Sequence, residues 1–276
     1  MRHRRQPVTA GTITAYVFLA IVLIIYLFPL AYLLNTALKS NAEFFRNTTG
    51  LVHSIQFGNF VDAWKQGNFS RYALNSVLYT FVAAGIGTII SLMIAFPVSR
   101  AYLRLSKAWN AMFAAMMFLP NTLVTLFQLA LKMNLYNTRY GYILILASGV
   151  GIGPLLIASY LKSIPKELDE AAAIDGCSYT HYLFRFLPRL LTPVLSTCFI
   201  LQCIGVWNDI ILATILLPDQ SKSPITLGLF AFSGSYVSQW SLLAAATIIV
   251  ALPLIIVYIF LQRYIVASVV SGAVKG

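Results

Sequence analysis

Long intervals without a single Asp, Glu, Lys or Arg dominate the chain: Gln6–Leu38, Tyr72–Ser99, Ala108–Leu131, Tyr140–Leu161, Leu190–Asn208 and Ser223–Gln262. A helix rises 1.5 Å per residue, so about 20 apolar residues cover the ~30 Å hydrocarbon layer of a bilayer. Trimmed by polarity and turn signals, the intervals predict spans near 13–35, 72–98, 109–131, 141–161, 191–217 and 241–262, with Asp209 interrupting only the fifth. Composition agrees: 59% of the residues are hydrophobic and 10% are charged, against about a quarter charged in soluble domains. The expected fold is an all-α polytopic membrane protein in which residues 1–276 form one domain of six transmembrane helices.

A net charge of +11 would suit a nucleic-acid binder only if the cations clustered on one water-facing surface. Here they stand at the ends of apolar intervals and report topology instead. Loops on one side hold 12 Lys and Arg and those on the other hold 7, so the positive-inside rule places both termini and the loops 99–108 and 162–189 in the cytoplasm. The first apolar run follows Arg2, Arg4 and Arg5 as in a signal peptide. It is longer than the 7–15 residues of such a core and reads as a retained anchor. Cys177, Cys198 and Cys203 show no metal-ligand spacing and, like His3, His53 and His181, read as structural residues.

Outside lie loops of residues 36–71 and 218–240, whose Phe57, Phe60, Trp64, Phe69 and Trp240 suit the membrane–water boundary. Gly149 and Gly153 give the fourth span a small-xxx-small spacing for close helix contact, and Gly85 and Gly87 offer the same in the second.

The loop from Lys162 to Arg189 is polar, charged and helical in pattern. Ser163 can cap a helix whose first turns carry Pro165, Glu167, Asp169 and Glu170. Ile164, Leu168, Ala171 and Ala172 form its apolar face, and Gly176 ends it where a positive φ costs glycine little. Ser178 can cap a second helix striped by Tyr179, Tyr182, Leu183 and Phe186 and stopped by Pro188. Such an elbow fits a groove on another protein. A loop merely resting on lipid would set Glu167, Asp169, Glu170 and Asp175 against an anionic leaflet.

With Glu170-Ala171-Ala172, then Asp175-Gly176 and Leu187-Pro188, this stretch resembles the EAA loop of ABC-importer permeases, in the carbohydrate branch close to the maltose type. Asn59-Phe60-x3-Trp64, Arg71-Tyr72-x2-Asn75-Ser76, Trp207-Asn208-Asp209 and Gly272–Gly276 extend the likeness along the chain; Leu187-Pro188 sits one residue nearer Glu170 than in the family pattern. The resemblance implies a cytoplasmic helix–turn–helix coupling loop that engages an ATPase through Glu170, Ala171, Ala172, Asp175, Gly176, Ser178, Tyr179, Tyr182, Leu183, Phe186 and Pro188. It implies as partners a second homologous permease, two cytoplasmic ATPases and an extracytoplasmic solute-binding protein. ATP and Mg would sit on the ATPase. No Gly-Lys dipeptide occurs in this chain, hence no GxxxxGK[ST] phosphate loop, and neither HExxH nor GxSxG is present, so a transport subunit rather than an enzyme is expected.

Polar residues that lipid would not tolerate are the pathway candidates: Asn121 and Gln128 in the third span, Gln202, Trp207, Asn208 and Asp209 in the fifth. A sugar would use the aromatic face of Trp207 and the amide of Asn208. A permease for another solute, such as glycerol phosphate or an amino acid, is the alternative, although the charge-free intervals hold no cation for an anionic cargo. An ion-coupled secondary transporter would want carboxylates deep in its spans and often an internal repeat; Asp209 alone, with no visible repeat, argues against it.

Overall fold

The computed structural model describes residues 10–119, 122–232 and 239–273. Arg2, Arg4, Arg5, Asn121, Lys275 and the rest of the 274–276 ending lie outside the described residues. Among those described, the chain is helices and turns without a strand, as expected of the class. It divides into two compact units, one holding the chain up to Gly67 with Leu229–Ile249, the other Asn68–Gly228 with the chain from Val250.

The first unit begins with α1 (Ala10–Ala37), followed by α2 (Asn41–Arg46) and α3 (Gly58–Gln66). Its loop is organised around Lys39, which is fully buried and donates from Nζ to the carbonyls of Asn47 (2.8 Å), Thr48 (3.4 Å) and Gly50 (2.5 Å). Asn59, read above as part of an outer-loop signature, has a local task. Its Nδ2 donates to the carbonyls of Ala37 and Lys39, tying α3 to the end of α1. Phe57 and Trp64 are exposed, as boundary aromatics should be, and Trp240 stacks on Phe44. Phe69 departs from that expectation: it opens the next helix and is fully buried.

The second unit is built on α4 (Phe69–Ser99), then α5 (Ser106–Met116), α6 (Leu123–Lys132), α7 (Arg139–Ser148) and α8 (Gly153–Leu161). The loop 162–189 holds α9 (Glu167–Ile174), α10 (Tyr179–His181), a π-helical turn over Tyr182–Phe186 and α11 (Leu187–Leu190). After it come α12 (Thr192–Trp207), α13 (Ile211–Leu216), 3-10 turns at Gln220–Lys222 and Ile225–Phe232, and α14 (Trp240–Ala273).

Three helical stretches are individually long and apolar enough to cross a bilayer: Gly11–Ala37, Phe69–Ser99 and Trp240–Phe260. The other expected spans are broken. The third, 109–131, is divided between α5 and α6 ahead of Pro120, which removes a helix donor and disfavours helical geometry in the residue before it. The fourth bends by 46° between α7 and α8, with Gly151 at φ +52°, so the 149–153 glycines lie at a break rather than along one helix. The fifth ends at Trp207 and resumes as α13. The last helix continues to Ala273, beyond the expected end at 262.

In lipid, helices gain little from hiding apolar surface and associate through close packing. α4 is suited to this. Ala83, Gly87, Ser91 and Ala95 recur every fourth residue and all are buried, a ladder the sequence reading only touched at Gly87. A Cβ on Gly87 would lie 2.3 Å from the Gln202 amide and 3.2 Å from the Ala147 carbonyl, and one on Gly153 2.6 Å from Ser91 Oγ. Gly85 and Gly149 meet no such neighbour from another helix. Closest to another residue's backbone is Gly141, where a Cβ would fall 2.2 Å from the oxygen of Leu135. Gly141→Val should therefore destabilise the fold by about 3 kcal/mol, read as a lowered thermal midpoint in detergent; an unchanged midpoint would mean the Leu135 turn yields freely.

Candidate functional site

The loop 162–189 follows most of the local chemistry in its sequence. Glu167, Asp169 and Glu170 occupy the first turn of α9, where the helix dipole favours acids. The helix ends in a Schellman arrangement: Cys177 N–H reaches the Ala172 carbonyl (2.9 Å), Gly176 N–H reaches the Ala173 carbonyl (3.1 Å), and Gly176 has φ +75°. Ser178 Oγ caps α10 by accepting from the His181 amide.

Two details differ. Ser163 does not cap α9; its hydroxyl donates to the Tyr160 carbonyl at the end of α8, because Pro165 keeps Ile164 out of helical geometry and α9 starts only at Glu167. Nor does Pro188 stop the second arm. The Leu187 amide bonds back five residues to Tyr182, a wide π turn that accommodates the proline ring, and the arm runs on to Leu190. The real corner is Leu191, where the axis turns by 89° into α12. There the Thr192 hydroxyl stands 3.0 Å from both the Pro188 and Arg189 carbonyls.

Burial divides the candidate residues. Tyr182 and Leu183 turn inward and join Leu92, Phe96, Ile157, Leu161 and Leu187 in the core of this end of the unit. Ala172 and Pro188 are half-buried. Glu170, Ala171, Asp175, Gly176, Ser178, Tyr179 and Phe186 remain exposed. The most exposed large apolar side chain of the loop is Ile174, at 86%. The sequence reading passed over it, although an isoleucine off the Ile164–Ala172 stripe was itself the signal.

Beneath the loop lies a buried polar network that no local pattern announced. Arg100, at the end of α4, places Nε 2.5 Å from Asp169 Oδ2 and donates from Nη2 to Oδ1 (3.1 Å). Its Nη1 donates to the carbonyls of Leu161 and Ile164, and the Tyr182 hydroxyl donates to Asp169. Burial first, then the hydrogen bond and charge of Asp169, hold the Tyr182 phenol above its ordinary value, so it remains a donor.

Among the described residues, the pathway candidates are not gathered around one cavity. Asn121 lies outside the described residues, and Gln128 and Asn208 are exposed. Gln202 donates to the Gly149 carbonyl. Trp207 is buried, gives its indole N–H to the Val250 carbonyl (3.0 Å), and lines an apolar cavity of about 350 Å³ with Thr80, Phe81, Cys203 and Pro253. Asp209 accepts from the Tyr142 hydroxyl (2.8 Å) and from the amides of Leu212 and Ala213, capping α13. The Asn75-Ser76 pair holds the segment beyond it: Asn75 Nδ2 donates to the Ser221 and Ser223 carbonyls, and Ser76 Oγ accepts from the Ile225 amide.

Residues 83–271 match the family model described as binding-protein-dependent transport system inner membrane component. The chain belongs to this family. Among curated relatives, the permease is 34% identical to the probable ABC transporter permease protein YurM of Bacillus subtilis (strain 168), over 96% of this chain and 89% of the relative. It is 31% identical to the melibiose/raffinose/stachyose import permease protein MelC of the same organism, over 93% and 94%, and 31% identical to the probable starch degradation products transport system permease protein AmyC of Thermoanaerobacterium thermosulfurigenes, over 94% and 95%. The permease fold is shared with a chain in the crystal structure of a bacterial ABC transporter involved in the import of the acidic polysaccharide alginate, at TM-score 0.79 and 22% identity, covering 96% of this chain and 99% of that one. The protein is thus a membrane-embedded transport subunit.

Proposed function

We propose that this permease carries a sugar or oligosaccharide, forms half of the translocation pathway beside a second homologous permease, and receives its driving force through the loop 162–189. The cargo reading rests on relatives whose names specify melibiose, raffinose, stachyose and starch products. An extracytoplasmic binding protein delivers the solute, and two cytoplasmic ATPases, carrying ATP and Mg, engage the coupling loops. In this reading six spans form one working domain in the cytoplasmic membrane of a prokaryote; the apolar intervals support the spans, and the cation distribution supports both termini lying inside.

One observation carries the coupling role. The elbow is locked from within by Tyr182, Leu183 and its cap bonds, yet presents Ile174, Tyr179 and Phe186 outward beside Glu170 and Asp175. A rigid polar segment with an apolar tip suits a protein groove better than lipid or water.

The test is retention of the ATPase on the purified complex, together with uptake at matched expression. Glu170→Lys reverses an exposed charge in the first turn of α9 and should weaken retention. Gly176→Val should do so through the backbone alone, since a Cβ there meets nothing within 4 Å but φ is +75°; a left-handed conformation costs an ordinary residue about 1–2 kcal/mol. Gly176→Asn, which tolerates that conformation, should stay close to the parent. Normal retention and uptake in both Glu170→Lys and Gly176→Val would reduce the loop to a connector.

A further inference from the structure

The cations of the 99–108 loop explain membrane orientation, and exposed cations would suffice for that. Arg100 is not one of them. It is 3% exposed, and its guanidinium grips two other elements of the second unit at once: the end of α8 through the Leu161 and Ile164 carbonyls, and α9 through Asp169. One turn earlier on the same face of α4, the Phe96 ring touches Tyr179 and Tyr182 of the elbow, at centroid distances of 5.9 and 5.8 Å. Tyr182 closes the network by donating to Asp169. The last turn of α4 is therefore joined to both arms of the elbow by an ion pair, hydrogen bonds and tilted ring contacts.

The other end of α4 is attached as firmly. Asn75, Ser76 and Tyr79 hold the 221–225 segment through its backbone, Tyr79 donating to the Lys222 carbonyl at 2.7 Å. One continuous helix, Phe69–Ser99, connects the two attachments.

We propose that Arg100 is a positioning residue for transport: acting through Asp169 and Tyr182, it locks the coupling loop to α4, so that displacement of the loop is carried along α4 to the Ser221–Ile225 segment. This rests on the reading of loop 162–189 as the ATPase-engaging element and names the joint through which that element works. A planar fork fits the task because it fixes direction as well as distance, which a flexible ammonium does not. Docking and transmission are thereby separated within one loop. Ile174 and Phe186 are exposed, Tyr179 is partly exposed while its ring also meets Phe96, and Arg100, Asp169 and Tyr182 face inward.

Removing one partner alone would strand a buried charge and confuse misfolding with uncoupling. The informative variant removes all three polar groups together, Arg100→Met with Asp169→Leu and Tyr182→Phe, since apolar replacement of a whole buried network is often neutral for stability. In the complete complex of both permeases, ATPase and binding protein, this triple variant should keep its thermal midpoint within about 5 °C and retain the ATPase. It should continue to hydrolyse ATP, while solute moved per ATP falls about tenfold or more. Arg100→Lys, which keeps the charge and loses the fork, should fall between. Parental transport per ATP in the triple variant would overturn the proposal.

A second readout does not depend on the ATPase. With Cys177, Cys198 and Cys203 replaced, spin labels at Met93→Cys on α4 and Ala173→Cys on α9 should give a narrow distance distribution in the parent and a broad one in the triple variant. Equal widths would also overturn the lock. If the parental complex failed to retain ATPase while the widths still differed, the docking reading would fall and the attachment of the loop to α4 would stand.

Discussion

Ile174→Asp should abolish transport while leaving the chain folded and inserted. Ile174 is 86% exposed at the end of α9, so no intramolecular packing is lost on replacement. Full burial of an isoleucine in a partner's groove contributes about 1.5–3 kcal/mol, and an unpaired carboxylate in the same groove adds a desolvation cost. Together these weaken docking by a factor on the order of a hundred, since each 1.4 kcal/mol is tenfold. Uptake in cells should fall to background at unchanged membrane abundance, and the ATPase should wash off the purified complex. Ile174→Leu should behave like the parent. Uptake of Ile174→Asp within about twofold of the parent, far above the loss expected from an interface anchor, would show that the tip touches nothing.

Asp209→Ala should markedly destabilise the second unit. Its carboxylate is the acceptor for the Tyr142 hydroxyl and two amides at the start of α13. Losing an N-terminal cap costs about 1 kcal/mol, and stranding the hydroxyl of a tyrosine that is 1% exposed adds about 1–3 kcal/mol. At roughly 2–4 °C per kcal/mol the melting midpoint should drop by about 5–15 °C. Tyr142→Phe removes donor and demand together and should cost little. The same pair separates two roles for Asp209. A scaffold residue loses stability and transport together, whereas a solute contact would leave the midpoint untouched and raise the solute concentration needed for half-maximal uptake.

Neither position was equally visible beforehand. The apolar intervals predicted α1, α4 and the start of α14 closely, because a bilayer demands a minimum apolar length and little else. Helix ends governed by chemistry between neighbours were also legible: Gly176 has the positive φ, and Ser178 supplies the cap. Where two local signals competed, the reading failed. Ser163 is a good cap placed before a proline, and the proline decided where α9 begins. Pro188 is a helix breaker placed where a π turn accommodates it.

What the sequence by itself determined is whatever depends on residues a turn or two apart: the apolar helices, the acids at the front of α9, the glycine that closes it and, through the order of its motifs, the transporter family. Tertiary structure alone decided which of those residues are available. Arg100 and Asp169 are 69 positions apart and become an ion pair only because α4 ends beneath the loop. Tyr182 and Tyr179 lie on one short arm, yet the first is buried and the second exposed. Asp209, a pathway candidate by polarity, is occupied by Tyr142 from 67 positions away. A side chain's type limits the bonds it can make, but its partner and its exposure are set by chain brought close from a distance, and helical periodicity records nothing of that.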